Sequence, residues 1–309
     1  MAQDHVSIVM ATRNGAAHLP AQLASLAWQS HRNWSLFVSD DDSTDATRDV
    51  LANFSLPRPL RLTRGPCAGT SAANFLSALA HPDLPDGPVA LADQDDVWLK
   101  GKLARALRRL GSAPGPALYA AESLLCDAGL RPLRRSRAPG AQPGFGNALV
   151  QNLFGGHTLV LNSAALALVR QALALLGPDG ARGIAYHDWF LYQLVAGAGG
   201  RLLLDPLPVA LYRQHGGNEL GGSGDARAAL RRLAMLASGR WGGAMRAQAQ
   251  ALARVETLLT APARQTLTAY LAAPPAGLHR ARALAAAGIG RASRGGQALM
   301  QTAALFGRV

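Results

Sequence analysis

Short apolar runs rich in β-formers alternate with amphipathic stretches through the first 110 residues of the chain. The runs from Val6 to Ala11, Trp34 to Val38, Leu60 to Thr63 and Val89 to Ala92 predict strands. Between and after them, His18 to Trp28, Ser43 to Phe54, Ser71 to Leu79 and Leu99 to Leu110 predict helices, with Ser43 suited to cap the second. Strands alternating with helices predict a doubly wound, mostly parallel α/β sheet flanked by helices. Ligands of such sheets bind beyond the carboxyl ends of the strands. That rule gathers "ATRNG", "SDDDS" and "ADQDD" on one rim.

Beyond residue 115 the pattern loosens. Ala117 to Cys126 reads as a long strand, followed by a basic Pro/Gly-rich loop, "LRPLRRSRAPGAQPGFG", long enough for a lid or an insertion. His157 to Leu161 predicts a strand, Ser163 to Leu176 a helix and "HDWFLYQLVAGAG" another, and Arg201 to Leu204 and Val209 to Tyr212 two further strands. A glycine-rich hinge, "HGGNELGGSGDA", then opens a series of Ala/Arg/Leu helices. The division expected is a catalytic unit over 1–220, split into halves 1–112 and 113–220, and a basic helical extension over 225–309.

Composition narrows the class. Hydrophobic residues make up 49% of the 309 and charged residues 16%, so the chain is globular and long enough for a sizeable core. No run of 18 uncharged apolar residues predicts a membrane span, and "MAQDHVSIVMATRNG" lacks the basic region of a signal peptide. Cys67 and Cys126 have no metal-type spacing and suit a reduced, cytoplasmic setting. The net charge of +12 is lopsided: from Asp225 onward twelve arginines face two acids, leaving only +2 for everything before.

Three carboxylates at one strand end, Asp93, Asp95 and Asp96, repel one another unless a cation sits among them. Mg²⁺ and Mn²⁺ take such oxygens, often together with substrate phosphates. The plainer alternative is a solvated acidic turn capping the helix that follows. A second cluster, Asp40, Asp41 and Asp42, ends the second strand. A carboxylate there can accept from the ring N–H of uracil or thymine; the alternative is helix capping, for which Ser43 and Asp45 would suffice.

Taken in order, "SIVMATRNGAAHL", "VSDDDSTDAT", "ADQDDVWLKGKL", "GGHTLVLN", "YHDWFLYQL" and "LYRQHGGN" resemble the inverting glycosyltransferases of family 2, and most closely their rhamnosyltransferase-like branch. The likeness spans roughly residues 5–218 and leaves the basic tail unmatched. It implies the GT-A fold, a nucleoside-diphosphate sugar donor (dTDP- or UDP-linked) and Mg²⁺ or Mn²⁺. Asp40 and Asp41 match the pair associated with base and ribose, with Thr12, Arg13, Asn14 and Gln94 on the same rim. Asp93 and Asp95 match the D-x-D element at the ribose and the metal-bound diphosphate, Asp96 is a supporting candidate, and His215 in "RQHGGN" matches a histidine that reaches the metal or the diphosphate. Asp188 in "HDW" matches the base that takes the proton of the acceptor hydroxyl.

Two positions depart from the family pattern. Asp42 stands where glycine is common, a tight-turn position that Asp tolerates better than most residues. Arg13 stands where an aromatic is common, and reads either as a base or phosphate contact or as a surface arginine. Trp98 and Trp189 read as packing anchors or sugar platforms, and His157 and His187 as acceptor-side or structural histidines. In the tail, Met245, Ala249, Leu252, Val255 and Leu259 recur at helical spacing. The basic tail suggests either docking on an anionic membrane at its inner face or a solvated helical cap.

The function expected is metal-dependent, inverting transfer of a sugar, rhamnose first among candidates, to a saccharide or lipid-linked acceptor in cell-surface polysaccharide synthesis. A sugar nucleotidyltransferase would share the aspartates but leave Asp188 and "RQHGGN" idle. A non-catalytic membrane- or nucleic-acid-binding module would explain the charge alone, and an acidic rim repels nucleic-acid phosphates.

Overall fold

Alternation along β1 (Val6–Thr12) sends Val6, Ile8 and Met10 into one hydrophobic core and Val9 into another, so the central sheet is covered on both faces. The computed structural model describes residues 5–136, 143–214 and 238–309. The hinge, His215 and part of the basic loop lie outside these residues.

The first half follows the pattern of the sequence. β1, α1 (Leu19–Ala27), β2 (Trp34–Asp40), α2 (Thr47–Asn53), β3 (Leu60–Arg64), α3 (Ser71–Ala80) and β4 (Val89–Asp93) alternate. Strands β3, β2, β1 and β4 lie side by side, all parallel. One expectation fails here: Ser43 does not cap α2, because its hydroxyl and N–H both donate to Asp40 and the helix begins at Thr47.

Past β4 come β5 (Val97–Trp98), α4 (Lys102–Leu110), β6 (Ala117–Cys126), β7 (Pro132–Arg135), α5 (Phe145–Ala148), β8 (Val160–Leu161), α6 (Ser163–Arg182), α7 (His187–Gly197) and β9 (Arg201–Arg213). The sheet continues from β4 as β8, β6, β9 and β5, with β7 beside β6. Here β8 runs antiparallel to both β4 and β6, so the second half adds a mixed sheet to the parallel one. α4 starts at Lys102 and not at Leu99, because the Leu99 N–H donates to the Val209 carbonyl of β9 (2.9 Å) and continues the pairing of Val97 and Trp98. The two strands predicted around Pro206 and Pro208 are one, since register shifts against β6 absorb the prolines' missing N–H groups. The strand predicted from His157 shortens to Val160–Leu161 behind a 3₁₀ turn over Gly156–Thr158, and α6 runs on to Arg182 past a break at Gly177 and Pro178.

The tail folds onto this frame as α8 (Arg240–Ala253), α9 (Ala261–Ala272), α10 (Gly277–Ala286) and α11 (Arg294–Leu305). Met245, Ala249, Leu252, Val255 and Leu259 are buried in the same cluster as Phe190 and Val195 of α7. The apolar stripe read from the sequence therefore faces protein, which removes it as a lipid-facing surface. Among the described residues no helix is long and apolar enough to cross a membrane.

Candidate active site

The rim begins with Asp40, buried at the end of β2. Thr12 Oγ1 (2.9 Å) and Ser43 Oγ (2.6 Å) donate to its Oδ2, and Arg48 Nε (2.7 Å) and the Ser43 N–H (3.1 Å) to its Oδ1. Burial alone would raise this carboxyl; the hydrogen bonds from Ser43, Thr12 and Arg48 hold it below the ordinary range. Asp41 is also buried and accepts from the N–H groups of Ala68 (3.1 Å) and Gly69 (2.7 Å), with the Arg13 guanidinium 3.9 Å away. Asp42 has φ 62°, the left-handed turn expected of a position where glycine is common.

The β1 loop is stitched to its neighbours. The Asn14 N–H donates to Ser43 Oγ (2.9 Å), and Asn14 Oδ1 accepts from the Thr44 N–H (2.8 Å). Gln94 grips the backbone of Arg13 from both sides, accepting its N–H and donating to its carbonyl, each at 2.9 Å. A side chain at Gly15 would meet Gln94 Oε1 at 2.1 Å, which is why a glycine follows "TRN". Beside this loop a cleft of about 450 Å³ is lined by Asp40, Asp42, Arg48, Leu62, Thr63 and Arg64.

The end of β4 is different. Ligand atoms of Asp93, Asp96 and His157 lie within 4.8 Å of one another. Asp95, expected in this group, is not in it; its carbonyl accepts from Arg213 Nε at 2.9 Å and its charge adds to the repulsion on Asp96. Asp96 is fully buried; its Oδ1 accepts the Arg213 N–H (3.2 Å), while Oδ2 has no hydrogen-bond partner among the described residues. Burial pushes this carboxyl well up, and Asp93 and Asp95 push it further.

His157 is held by Ser123 Oγ at 2.9 Å from Nε2 and stacks on Tyr212, ring centroids 4.4 Å apart. Burial, with the nearby Lys102 ammonium, lowers it to about 3, so near neutral pH it carries the unprotonated nitrogen a metal needs.

Lys102 is the residue that sequence reasoning missed. Fully buried, it donates to the His157 carbonyl (2.6 Å) and lies 3.3 Å from the centroid of the Trp98 ring. Burial lowers its ammonium well below the ordinary lysine value, against the pull of Asp96 and Asp93. One signal was present: Lys102 shares the buried side of α4 with Leu103, Ala106 and Leu110.

Asp188 opens α7, where its Oδ1 accepts the Trp189 N–H (2.7 Å) and Oδ2 the Gly156 N–H (3.0 Å). Gly156 and His157 are neighbours, so one turn joins Asp188 to the Asp93–Asp96–His157 group. A side chain at Gly156 would come within 2.9 Å of His187 Nε2, and His187 stacks on Phe75 with centroids 4.2 Å apart. Trp189 is buried and donates to the Ala148 carbonyl (2.6 Å), and Trp98 is buried under Lys102. Both tryptophans pack inside the protein and offer no open ring to a sugar.

A family model described as "Glycosyl transferase family 2" matches residues 7–172, more than half of the chain. The chain belongs to glycosyltransferase family 2. It is 27% identical over 231 residues to the dTDP-rhamnosyl transferase RfbG of Shigella flexneri, covering 74% of this chain and 78% of that protein. A 98-residue stretch is 36% identical to the glucosyltransferase WfgD of Escherichia coli, covering 32% of this chain and 38% of that one.

Solved structures agree on the fold. The S. aureus TarS structure over 1–349 superposes with a TM-score of 0.53 at 15% identity, covering 91% of this chain and 88% of that one. The mannosyltransferase PcManGT of Pyrobaculum calidifontis, in complex with GDP-Man and Mn²⁺, gives 0.50 at 19%, covering 94% and 87%. This family-2 transferase therefore has the GT-A fold.

GT-A transferases commonly use a divalent cation, and the residues present fit one. Two carboxylates and a neutral imidazole form a donor set for Mn²⁺ or Mg²⁺. The buried Asp96 Oδ2, without a hydrogen-bond partner among the described residues, is the atom such an ion would satisfy.

Proposed function

We propose that the chain transfers a sugar with inversion from a nucleoside-diphosphate sugar to a saccharide or lipid-linked saccharide acceptor during cell-surface polysaccharide synthesis, at the cytoplasmic face of the membrane. Rhamnose from dTDP-rhamnose is the first candidate donor, supported by the likeness to RfbG over three-quarters of the chain. The observation that carries the reading is the turn at Gly156–His157, which ties Asp188 to the acidic end of β4.

In this reading Asp188 takes the proton of the acceptor hydroxyl while that oxygen bonds to the anomeric carbon. The bond from that carbon to the diphosphate breaks on the opposite face, and its electron pair leaves with the nucleoside diphosphate. A divalent cation on Asp93, Asp96 and His157 would offset the charge growing on that diphosphate. Asp40, Asp41 and the β1 loop shape the nucleotide side, with Asp95 next to the diphosphate.

The test is release of nucleoside diphosphate from dTDP-rhamnose, UDP-glucose, UDP-GlcNAc and GDP-mannose, each with Mn²⁺ or Mg²⁺ and a lipid-linked saccharide. Metal-dependent turnover of dTDP-rhamnose is expected. Turnover of a different donor would change the sugar. Release of pyrophosphate from a nucleoside triphosphate and sugar phosphate would instead make the chain a nucleotidyltransferase, and no turnover of any donor would leave a binding module.

A further inference from the structure

The described tail, residues 238–309, carries nine arginines and a single acid, Glu256. Several of those arginines are spent inside the protein. Arg280 is buried against the Val309 and Pro274 carbonyls, Arg291 donates to the Val150 carbonyl and Arg254 to that of Leu176. Arg282 on α10 and Arg294 on α11 are exposed, with no carboxylate within ion-pair distance among the described residues.

The same two helices expose apolar side chains. Of the nine large hydrophobic residues exposed in the described chain, five are spread one to an element, and the other four lie together on this helix pair or its C-terminal end. Leu278 is 62% exposed, Leu299 50%, Leu305 38% and Phe306 72%. Scattered exposed hydrophobics are ordinary; a cluster on one surface is not.

The pair is laid out as a platform. α10 buries Arg280 and Leu284, and α11 buries Met300, Ala303 and Ala304; the apolar members of these sets join the main core, so both helices turn their other side outward. Their ends meet: a side chain at Gly307 would lie 3.3 Å from Ala276 Cβ. Leu278 and Arg282 are one turn apart on α10; on α11 Leu299 and Phe306 are two turns apart along one flank, and Arg294 lies three turns from Leu305 along the other.

We propose that the outer face of the α10–α11 pair docks on the surface of an anionic lipid bilayer. Leucine and phenylalanine side chains enter the acyl boundary and the unpaired arginines meet the headgroups, the arrangement of an interfacial helix. Among the described residues no carboxylate opposes these arginines, and that charge complementarity selects anionic lipid over a second copy of an equally basic chain.

The face is also wired to the site. The turn between the two helices is bound to α5 and the segment after it: Asn147 donates to the Gly290 carbonyl (3.0 Å), and the Ala292 N–H donates to Gln151 Oε1 (2.8 Å). That segment runs directly into Gly156 and His157. The lipid contact stands on the surface alone; its use in presenting a lipid-linked acceptor beside Asp188 rests on the transferase reading above.

Cosedimentation of the full chain with phosphatidylcholine vesicles, with and without phosphatidylglycerol, tests this. The wild type binds only the anionic vesicles, and less in high salt. Arg282→Gln and Arg294→Gln each weaken binding about fivefold, and Leu278→Ser/Phe306→Ser weakens it at least about tenfold. Thermal unfolding and nucleotide titration without vesicles are unchanged in all of them. No binding to anionic vesicles, or equal binding by both sets of variants, overturns the proposal. So does a wild-type dimer that Leu278→Ser/Phe306→Ser turns into a monomer, since the face would then belong to a second copy. Loss of every donor turnover with vesicle binding intact would sink the transferase reading and leave this one standing.

Discussion

Two strand ends of the same sheet treat their aspartates in opposite ways. At the end of β2, Asp40 accepts four hydrogen bonds and Asp41 two from backbone N–H groups, so the protein itself satisfies both carboxylates. At the end of β4, Asp96 is buried beside two other acids, with one oxygen lacking a partner among the described residues and a buried lysine close by. The first arrangement is a rigid frame that shapes a surface. The second is electrostatically incomplete, and buried polar groups left incomplete mark places where a ligand or ion completes them. Acidity by itself therefore does not mark a candidate cation site; the hydrogen-bond account of each carboxylate separates the two ends.

The largest effect that would sharpen this contrast lies at neither strand end but at the group joined to the second. Asp188→Asn should lower turnover by about 10²–10⁴-fold with nucleotide binding retained; steady-state rates set beside calorimetry decide it. Unchanged turnover would remove Asp188 as the base.

Next comes the frame. Asp40→Ala leaves four donors without their acceptor and should cost about 3 kcal/mol in urea unfolding. Its pH dependence has a definite sign. The folded carboxyl titrates below its unfolded value, so its stabilisation is present above the unfolded value and fades as pH falls through the folded one. Asp40→Asn should flatten the acid limb of stability against pH, and an unaltered acid limb would contradict the frame.

The incomplete end should respond to metal instead. With Mn²⁺ at a hundredfold its Kd, the wild type gains about 2.7 kcal/mol, read as a rise in melting temperature. Asp96→Asn should lose most of that gain, whereas Asp40→Asn should keep it. Equal gains in both variants would erase the difference between the two ends. The smallest effect is at Gln94, whose two bonds to the Arg13 backbone make Gln94→Ala worth about 1 kcal/mol and a modest rise in donor KM.

Much of this was legible in the chain. Strand runs ending in "TRN", "SDD" and "ADQDD" declare a rim because period-two burial and the parallel rule are local properties. The frame's bonds were not legible, because Ser43 read as a cap and Thr12 as a rim residue on the nucleotide side until the sheet brings both to one carboxylate. Asp96 and His157 are 61 residues apart and meet through β8, a two-residue strand inserted antiparallel between β4 and β6. No periodicity announces a strand that short. The position of Lys102 on the buried row of α4 was readable; its place behind the acids depends on the His157 turn. In the tail the helical spacing was legible, and that its apolar stripe met protein depended on how the helices docked.

The central claim is that the end of β4 binds a cation that in turn holds a nucleoside diphosphate. Calorimetric titration of dTDP, UDP and GDP, with and without Mn²⁺, on the wild type and on Asp96→Asn tests it most directly. The account predicts that one nucleotide binds the wild type only when Mn²⁺ is present and that Asp96→Asn abolishes this binding. Nucleotide binding that is indifferent to Mn²⁺ and unchanged in Asp96→Asn would contradict it.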